Sequence, residues 1–168
     1  MTANLQTVRL KPNPSGKDRT RYGGASATQL GAEWADLANV SDKRVDVAGV
    51  GLWHIAYDAN GNGHWEKVTS FSKGIIQPGQ IIRVHAGHGP VSALRPEDKE
   101  GADFHIFTDR DAYVWNNQDY GDCAGLFMEG DANPFDKACY DRDPPEGMVL
   151  DRVGDRLVAH AAVASRHY

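Results

Sequence analysis

Apolar and polar residues alternate in short runs along this chain, and turn-forming residues separate the runs. Clear runs occupy positions 5–10, 44–54, 81–85 and 123–128. Gly49 interrupts the alternation in the second run, which is typical of a strand with a bulge. Short strands separated by turn signals every ten or so residues predict an all-β sandwich or barrel.

Two segments allow either a strand or a helix. Residues 33–39 alternate imperfectly as a strand, whereas 29–38 fit a short helix. After residue 145, the tail fits a hairpin around Gly154-Asp155 or a helix that Asp155 caps. Pro78 and Gly79, by contrast, predict a type II turn without ambiguity.

The stretch from 114 to 140 predicts a hairpin that contains both cysteines. Val114-Trp115 is expected to end one strand, and the segments 123–128 and 135–140 are expected to pair about a turn near Asp131. This fold places Cys123 opposite Cys139, within reach of a disulfide. In a reducing cytosol we expect free thiols, and in an extracellular or particle-borne protein a bond.

Six pieces of the chain follow, in order, the pattern of a known family. They are Glu33 with Leu37 and Asn39; the strand 45–52; the turn 77–80 with strand 81–84; the run 84–89; Val114-Trp115-Asn116-Asn117 with Gly121-Asp122 and Leu126; and the strand 136–140. Over about residues 30–141 the chain resembles the lamin tail domain in its bacterial form. Val50 replaces the usual Trp, and we expect Trp53 to fill that volume.

The resemblance implies an immunoglobulin-like antiparallel β-sandwich with long loops and a C-terminal extension. Members of that family act as interaction modules, and nuclear members are linked to protein and DNA partners. The family has no catalytic residue set to carry over. We therefore expect an N-terminal strand and arm (1–32), a lamin-tail-type sandwich (33–141) and a C-terminal extension (142–168).

Charge argues against nucleic acid as the partner. The 168-residue chain has 23 acidic and 18 basic residues, a net charge of −5, and phosphate binding depends on Lys and Arg. A small basic run, Lys11, Lys17, Arg19 and Arg21, is expected to be a solvated loop. No apolar run is long enough to insert in a membrane, and the N-terminus lacks a signal peptide, so we expect synthesis in the cytoplasm.

One loop has the beginning of a calcium site. Asp58, Asn60 and Asn62 stand at alternate positions, as ligands of a calcium loop do. The twelfth position, however, is Thr69 instead of a bidentate Glu, and Glu66 is the available substitute. A plain Asn-Gly hairpin loop explains the run more simply.

Other candidate residues are two histidines and two loop aromatics. His85 and His88 have a spacing that could share a transition metal, although no Cys or carboxylate accompanies them in sequence. Trp65 and Tyr120 are assigned to loops, where exposed aromatics often contribute to binding surfaces. No cofactor is expected.

These observations favour a non-enzymatic module that works through protein–protein contacts. We expect it to belong to a homo- or hetero-oligomeric assembly, such as a virion or phage tail, with its N-terminal arm or C-terminal tail docked on partners. The alternative is a ligand-binding module for carbohydrate or nucleic acid that uses the loop aromatics. A hydrolase using His and Asp residues would require a convergent pocket.

Overall fold

A computed structural model describes residues 3–16 and 24–159 of the chain. In these ranges the strands are β1 (Leu5–Lys11), β2 (Trp34–Asn39), β3 (Val45–Asp46), β4 (Val50–Tyr57), β5 (Gly63–Ser70), β6 (Ile75–Ile76), β7 (Ile81–His85), β8 (Phe104–Phe107), β9 (Asp122–Met128), β10 (Asp136–Tyr140), β11 (Leu150–Val153) and β12 (Arg156–Ala159). The helices are α1 (Ala27–Gly31) and α2 (Pro96–Lys99), and a 3-10 turn spans Val91–Ala93. The protein is therefore mostly β.

Ten of the strands form one curled sheet, in the order β5-β4-β9-β10-β12-β11-β1-β2-β7-β8, and β3 pairs with β6. Leu37 of β2 and Leu52 of β4 share one core cluster although five strands lie between theirs in this order. The sheet must therefore fold over to enclose the core. This confirms the all-β, sandwich-like class. The sheet is mixed, because β7 pairs with β8 and β10 pairs with β12 in parallel.

The hairpin of β9 and β10 has the predicted register. Cys123 pairs with Cys139, and Leu126 pairs with Asp136. The two sulfurs form a disulfide across a Cα–Cα distance of 4.0 Å. A close Cα approach is typical of a non-hydrogen-bonded antiparallel position. Of the two alternatives, the structure contains the disulfide.

Strand β2 is buried on both faces, which explains its imperfect alternation. Leu37 points into the core, whereas Asp36 lies on the opposite face between two arginines. Arg83 of β7 forms a bidentate pair with Asp36, and its guanidinium also donates to the carbonyls of Asp98 and Glu100. The loop containing α2 thus covers the outer side of β2.

Lys11 belongs to this covered region and is not part of a solvated basic loop. Its ammonium lies 2.6 Å from Asp98 Oδ1 and is almost fully buried. The indole of Trp34 donates to the same oxygen at 2.9 Å. The prediction for Lys11 was therefore wrong, because a carboxylate 87 positions away neutralises it. The other three basic residues of that run lie outside the described residues.

The tail forms the hairpin alternative rather than the helix. β11 and β12 pair around Gly154-Asp155, and the hairpin lies between β10 and β1 in the sheet. Arg152 forms a bidentate pair with Asp136 and also donates to the carbonyl of Thr7. β1 and the tail hairpin thus share one sheet with the strands of residues 33–141 other than β3 and β6. Residues 160–168 lie outside the described residues.

Two local predictions have different outcomes. Gly79 has φ +80°, and the Gln80 amide donates to the Gln77 carbonyl, as a type II turn requires. The run 44–54 is instead two strands, β3 and β4, because the chain turns at Gly49, where φ is +83°. The register shift in β4 falls later, between Leu52 and Trp53.

Candidate functional site

Asp122, from the best-matching motif, is a buried acceptor for surrounding backbone. Its Oδ1 accepts from the amides of Ile55 at 2.7 Å and Cys123 at 2.8 Å. Its Oδ2 lies 3.1 Å from the Asn116 amide and 2.9 Å from His54 Nδ1. One carboxylate thus joins β4, β9 and the segment before β9.

Val114 and Trp115 do not end a strand, as was expected, and buried side chains hold the backbone of residues 114–116 instead. Glu33 is fully buried and accepts from the amides of Val114 at 2.7 Å and Trp115 at 3.1 Å. The buried Tyr140 hydroxyl donates to the Asn116 carbonyl at 2.7 Å. Side-chain acceptors and donors therefore replace the hydrogen bonds of a ladder.

Asn39 has a similar role at the opposite end of β2. Its Nδ2 donates to the carbonyls of Lys43 and Ile76, and its Oδ1 accepts from both the amide and the hydroxyl of Ser41. Asn39 is almost completely buried. The polar residues that carry the family resemblance, Glu33, Asn39 and Asp122, thus bond to backbone inside the fold.

The histidine beside Asp122 lies between two carboxylates. His54 Nδ1 contacts Asp122, and its Nε2 lies 3.6 Å from Glu66 Oε1. His54 is buried, and its ring packs edge-on against Trp115. Both imidazole nitrogens therefore face acidic oxygens rather than an open cleft.

The Asp58 loop is organised by its own hydrogen bonds. Asp58 Oδ1 accepts from the amides of Asn60 and Asn62, each at 2.9 Å. The Asn62 amide holds the pKa of the exposed Asp58 carboxyl below its usual value. The fourth candidate ligand, Glu66, faces His54. The geometry is that of a closed hairpin turn, and among the described residues it brings no further acidic side chain to Asp58.

The two candidate metal-binding histidines do not converge. His85 is buried, and its Nδ1 donates to the Gly31 carbonyl at 2.6 Å. Its Nε2 therefore accepts from Nδ1 of His105, 2.7 Å away on the parallel strand β8. His88 is half-exposed and faces Asp109 and Asp111. Among the residues described, no group of three or more His, Cys, Asp or Glu could hold a metal ion.

The histidine pair has depressed pKa values. Burial, helped by the neighbouring His105 and Arg83, lowers the pKa of His85 to about 4. Burial also lowers the pKa of His105. The rings of His85 and His105 stack at 5.0 Å, and Phe107 stacks on His85 at the same distance. Burial thus disfavours the charged form of both histidines.

The two aromatics assigned to loops have different positions. Trp65 lies within β5, half-buried, and packs edge-on against Phe127 at 5.2 Å. A Cβ at Gly125 would approach its ring to 2.8 Å, so the indole lies directly over that glycine. Tyr120 does lie in a loop, where it stacks on Tyr57 at 4.0 Å.

Trp53 lies with these aromatics rather than in the core. It contacts Phe127 at 5.3 Å, and Phe127 is buried outside the main core cluster. The expectation that Trp53 fills the core volume of the missing family Trp is therefore wrong. Trp53 pairs with Gly125 on β9 and Lys67 on β5, which places it on the outer face of the sheet. In the sequence, the signal for this position is that Trp53 directly follows Leu52, because successive side chains of a strand point to opposite faces and Leu52 lies in the core.

Two surface concavities are lined in part by exposed side chains. The groove on the outer face, of about 370 Å³, has Gly51, Trp53 and Phe127 among its lining residues. A second concavity, of about 360 Å³, lies where strands β1, β4 and β9 begin or end, and it is lined mainly by apolar side chains. We call it the end patch, defined by Leu5, Val45, Val50, Met128 and Phe135.

The end patch has two exposed apolar side chains beside the buried Leu5 and Val50. Met128 is 41% exposed and Phe135 is 37% exposed. They flank the β9–β10 turn, and Met128 pairs with Val50 on β4. Exposed apolar side chains that adjoin one another mark interaction surfaces more often than isolated ones do.

Comparison with known proteins finds no matching family model and no matching curated protein. None of the described helices is long and apolar enough to cross a membrane. The arrangement of side chains must therefore carry the functional argument.

Proposed function

We propose that this protein is a non-enzymatic interaction module of the lamin-tail, immunoglobulin-like type, which acts through protein–protein contacts. It would serve as a component of a larger assembly such as a virion or phage tail. The hydrogen bonds of Glu33, Asn39 and Asp122 support this proposal. Their polar atoms bond to backbone, so these side chains have a structural role in the fold. The histidines His54 and His85 are likewise engaged by neighbouring groups.

The end patch is the observation that carries the proposal. Met128 and Phe135 are exposed beside the apolar side chains Val45 and Val50. Aromatic residues and Met are enriched in protein interfaces, where a partner removes them from water. Burying a Phe or Met contributes about 1.5–3 kcal/mol. An interface centred on this patch therefore has two residues of the kinds that are enriched in protein interfaces.

The prediction that the N-terminal arm or the C-terminal tail docks on partners falls partly on segments outside the described residues. Residues 17–23 of the arm and 160–168 of the tail lie outside the described residues. β1 and the tail hairpin, in contrast, are strands within the sheet. The proposal therefore places the first contact at the end patch.

Site-specific photo-cross-linking in the organism that makes the protein tests this function. A photoreactive phenylalanine analogue replaces Phe135 in one variant and Val158 in a control. Val158 is 38% exposed on β12 and does not line the end patch. We expect defined protein adducts from position 135, with masses that identify a second copy or a different chain. Absence of adducts from position 135, or equal adducts from both positions, would contradict the proposal.

A further inference from the structure

The outer-face groove has an aromatic floor with an unused hydrogen-bond donor. The Trp53 ring lies over Gly51, where an added Cβ would approach Nε1 to 2.8 Å. Phe127 supports the ring at 5.3 Å. No acceptor for the Trp53 Nε1–H occurs among the described residues. Trp53 Nε1 is not among the buried polar atoms of the described residues that lack a partner, so it reaches solvent and is available to a ligand in the groove.

The rim of the groove consists of short polar side chains on two turns. Ser70 and Ser72 lie at the end of β5 and just beyond it, and Glu129 and Asp131 lie on the β9–β10 turn. All four are exposed. Within the part of the chain that is described, none of their side chains forms a hydrogen bond or ion pair. Hydroxyl and carboxylate groups thus face an aromatic floor from opposite sides.

The charges around the groove discriminate between classes of ligand. Lys67 Nζ lies 5.8 Å from the centre of the Trp53 ring, so a cation stacked on that ring would meet a positive charge already placed there. Glu129 and Asp131 would repel phosphate or another polyanion. An apolar peptide would remove these charged groups from water without pairing them, which is costly. A neutral ligand that is apolar on one face and hydroxylated at its edges meets none of these penalties.

We propose that this groove binds a neutral carbohydrate, with Trp53 stacked against a sugar ring and the rim residues bonded to its hydroxyls. The C–H face of a sugar is apolar and matches an aromatic ring, while carboxylates and hydroxyls accept from or donate to sugar O–H groups. The volume of about 370 Å³ suits a short oligosaccharide. The groove adjoins the end patch at Met128, which lines both, whereas Trp53 and the rim residues line the groove and not the end patch.

Binding to an array of neutral oligosaccharides, followed by calorimetric titration of the strongest ligand, tests this site. We expect saturable binding by the intact protein. Trp53→Ala should weaken it about tenfold or more, since a stacked aromatic anchor is lost. Glu129→Gln should weaken it less, because the amide still bonds to hydroxyls.

A blocking variant guards against loss of folding in Trp53→Ala. Ser72→Arg changes only an exposed turn residue and places a long side chain in the groove. It should abolish binding while leaving the circular dichroism spectrum and urea midpoint unchanged. Phe135→Glu, at the end patch, should leave sugar binding intact. The proposal is overturned if no neutral glycan binds, or if binding survives both Trp53→Ala and Ser72→Arg.

Discussion

Replacing Asp122 by Ala should destabilise the protein severely. The substitution removes acceptors from the amides of Ile55, Asn116 and Cys123 and from the His54 ring. Each buried donor left unsatisfied costs about 1–3 kcal/mol. Because the three amides belong to half-buried residues, water will reach some of them, and the low end of this range applies. The expected loss is about 3–5 kcal/mol, out of a total of about 5–15 kcal/mol for a typical domain.

Urea unfolding followed by tryptophan fluorescence measures this loss. Asp122→Asn retains one carbonyl oxygen, so it should lose about half as much as the Ala variant. The matched control is Asp119→Ala, an exposed change in the loop just before β9, which should stay within about 0.5 kcal/mol of the parent. A loss below about 1 kcal/mol for Asp122→Ala would refute the structural role, since typical buried acceptors cost more.

Three further outcomes follow from the structure. Asn39→Ala should cost about 2–4 kcal/mol in urea unfolding, because it leaves two carbonyls and the Ser41 amide without their partner. Cys123→Ser with Cys139→Ser should lower stability by about 3 kcal/mol, the entropy of a loop closed over 16 positions, yet retain the β-type circular dichroism spectrum. His85 should make stability depend on pH. Because its pKa is about 4 in the folded protein and 6.5 in an unperturbed histidine, the unfolded chain binds more protons between these values. Stability should therefore fall by up to about 3 kcal/mol as pH drops through this window, and a flat urea midpoint there would contradict it.

Local chemistry predicted the parts of the fold whose partners are close in sequence. The register of Cys123 with Cys139 follows from the position of the turn between them. The tail hairpin follows from Gly154-Asp155, and the turn at Gly79 follows from Pro-Gly. In each case the turn residues and the alternation that flanks them decide the pairing without reference to the rest of the chain.

The sequence did not predict the contacts between strands that are far apart in the chain and become neighbours only in the folded protein. Asp36 and Arg83 are 47 positions apart, and no pattern shows that β2 and β7 are neighbours covered by a loop. The pairing of His85 with His105 likewise requires the parallel contact of β7 and β8. Trp53 was misplaced because a family position suggested a core role, whereas the register of β4 puts it on the outer face.

Residue-resolved amide hydrogen exchange tests the central claim, that the motif's polar residues hold backbone inside the fold. The amides of Val114, Trp115 and Asn116 belong to no strand, yet each donates to a carboxylate of Glu33 or Asp122. We predict that they exchange as slowly as amides of the neighbouring strand β9, and that Asp122→Ala selectively accelerates Asn116. Exchange at the rate of an open loop in the intact protein would contradict this role of Glu33 and Asp122.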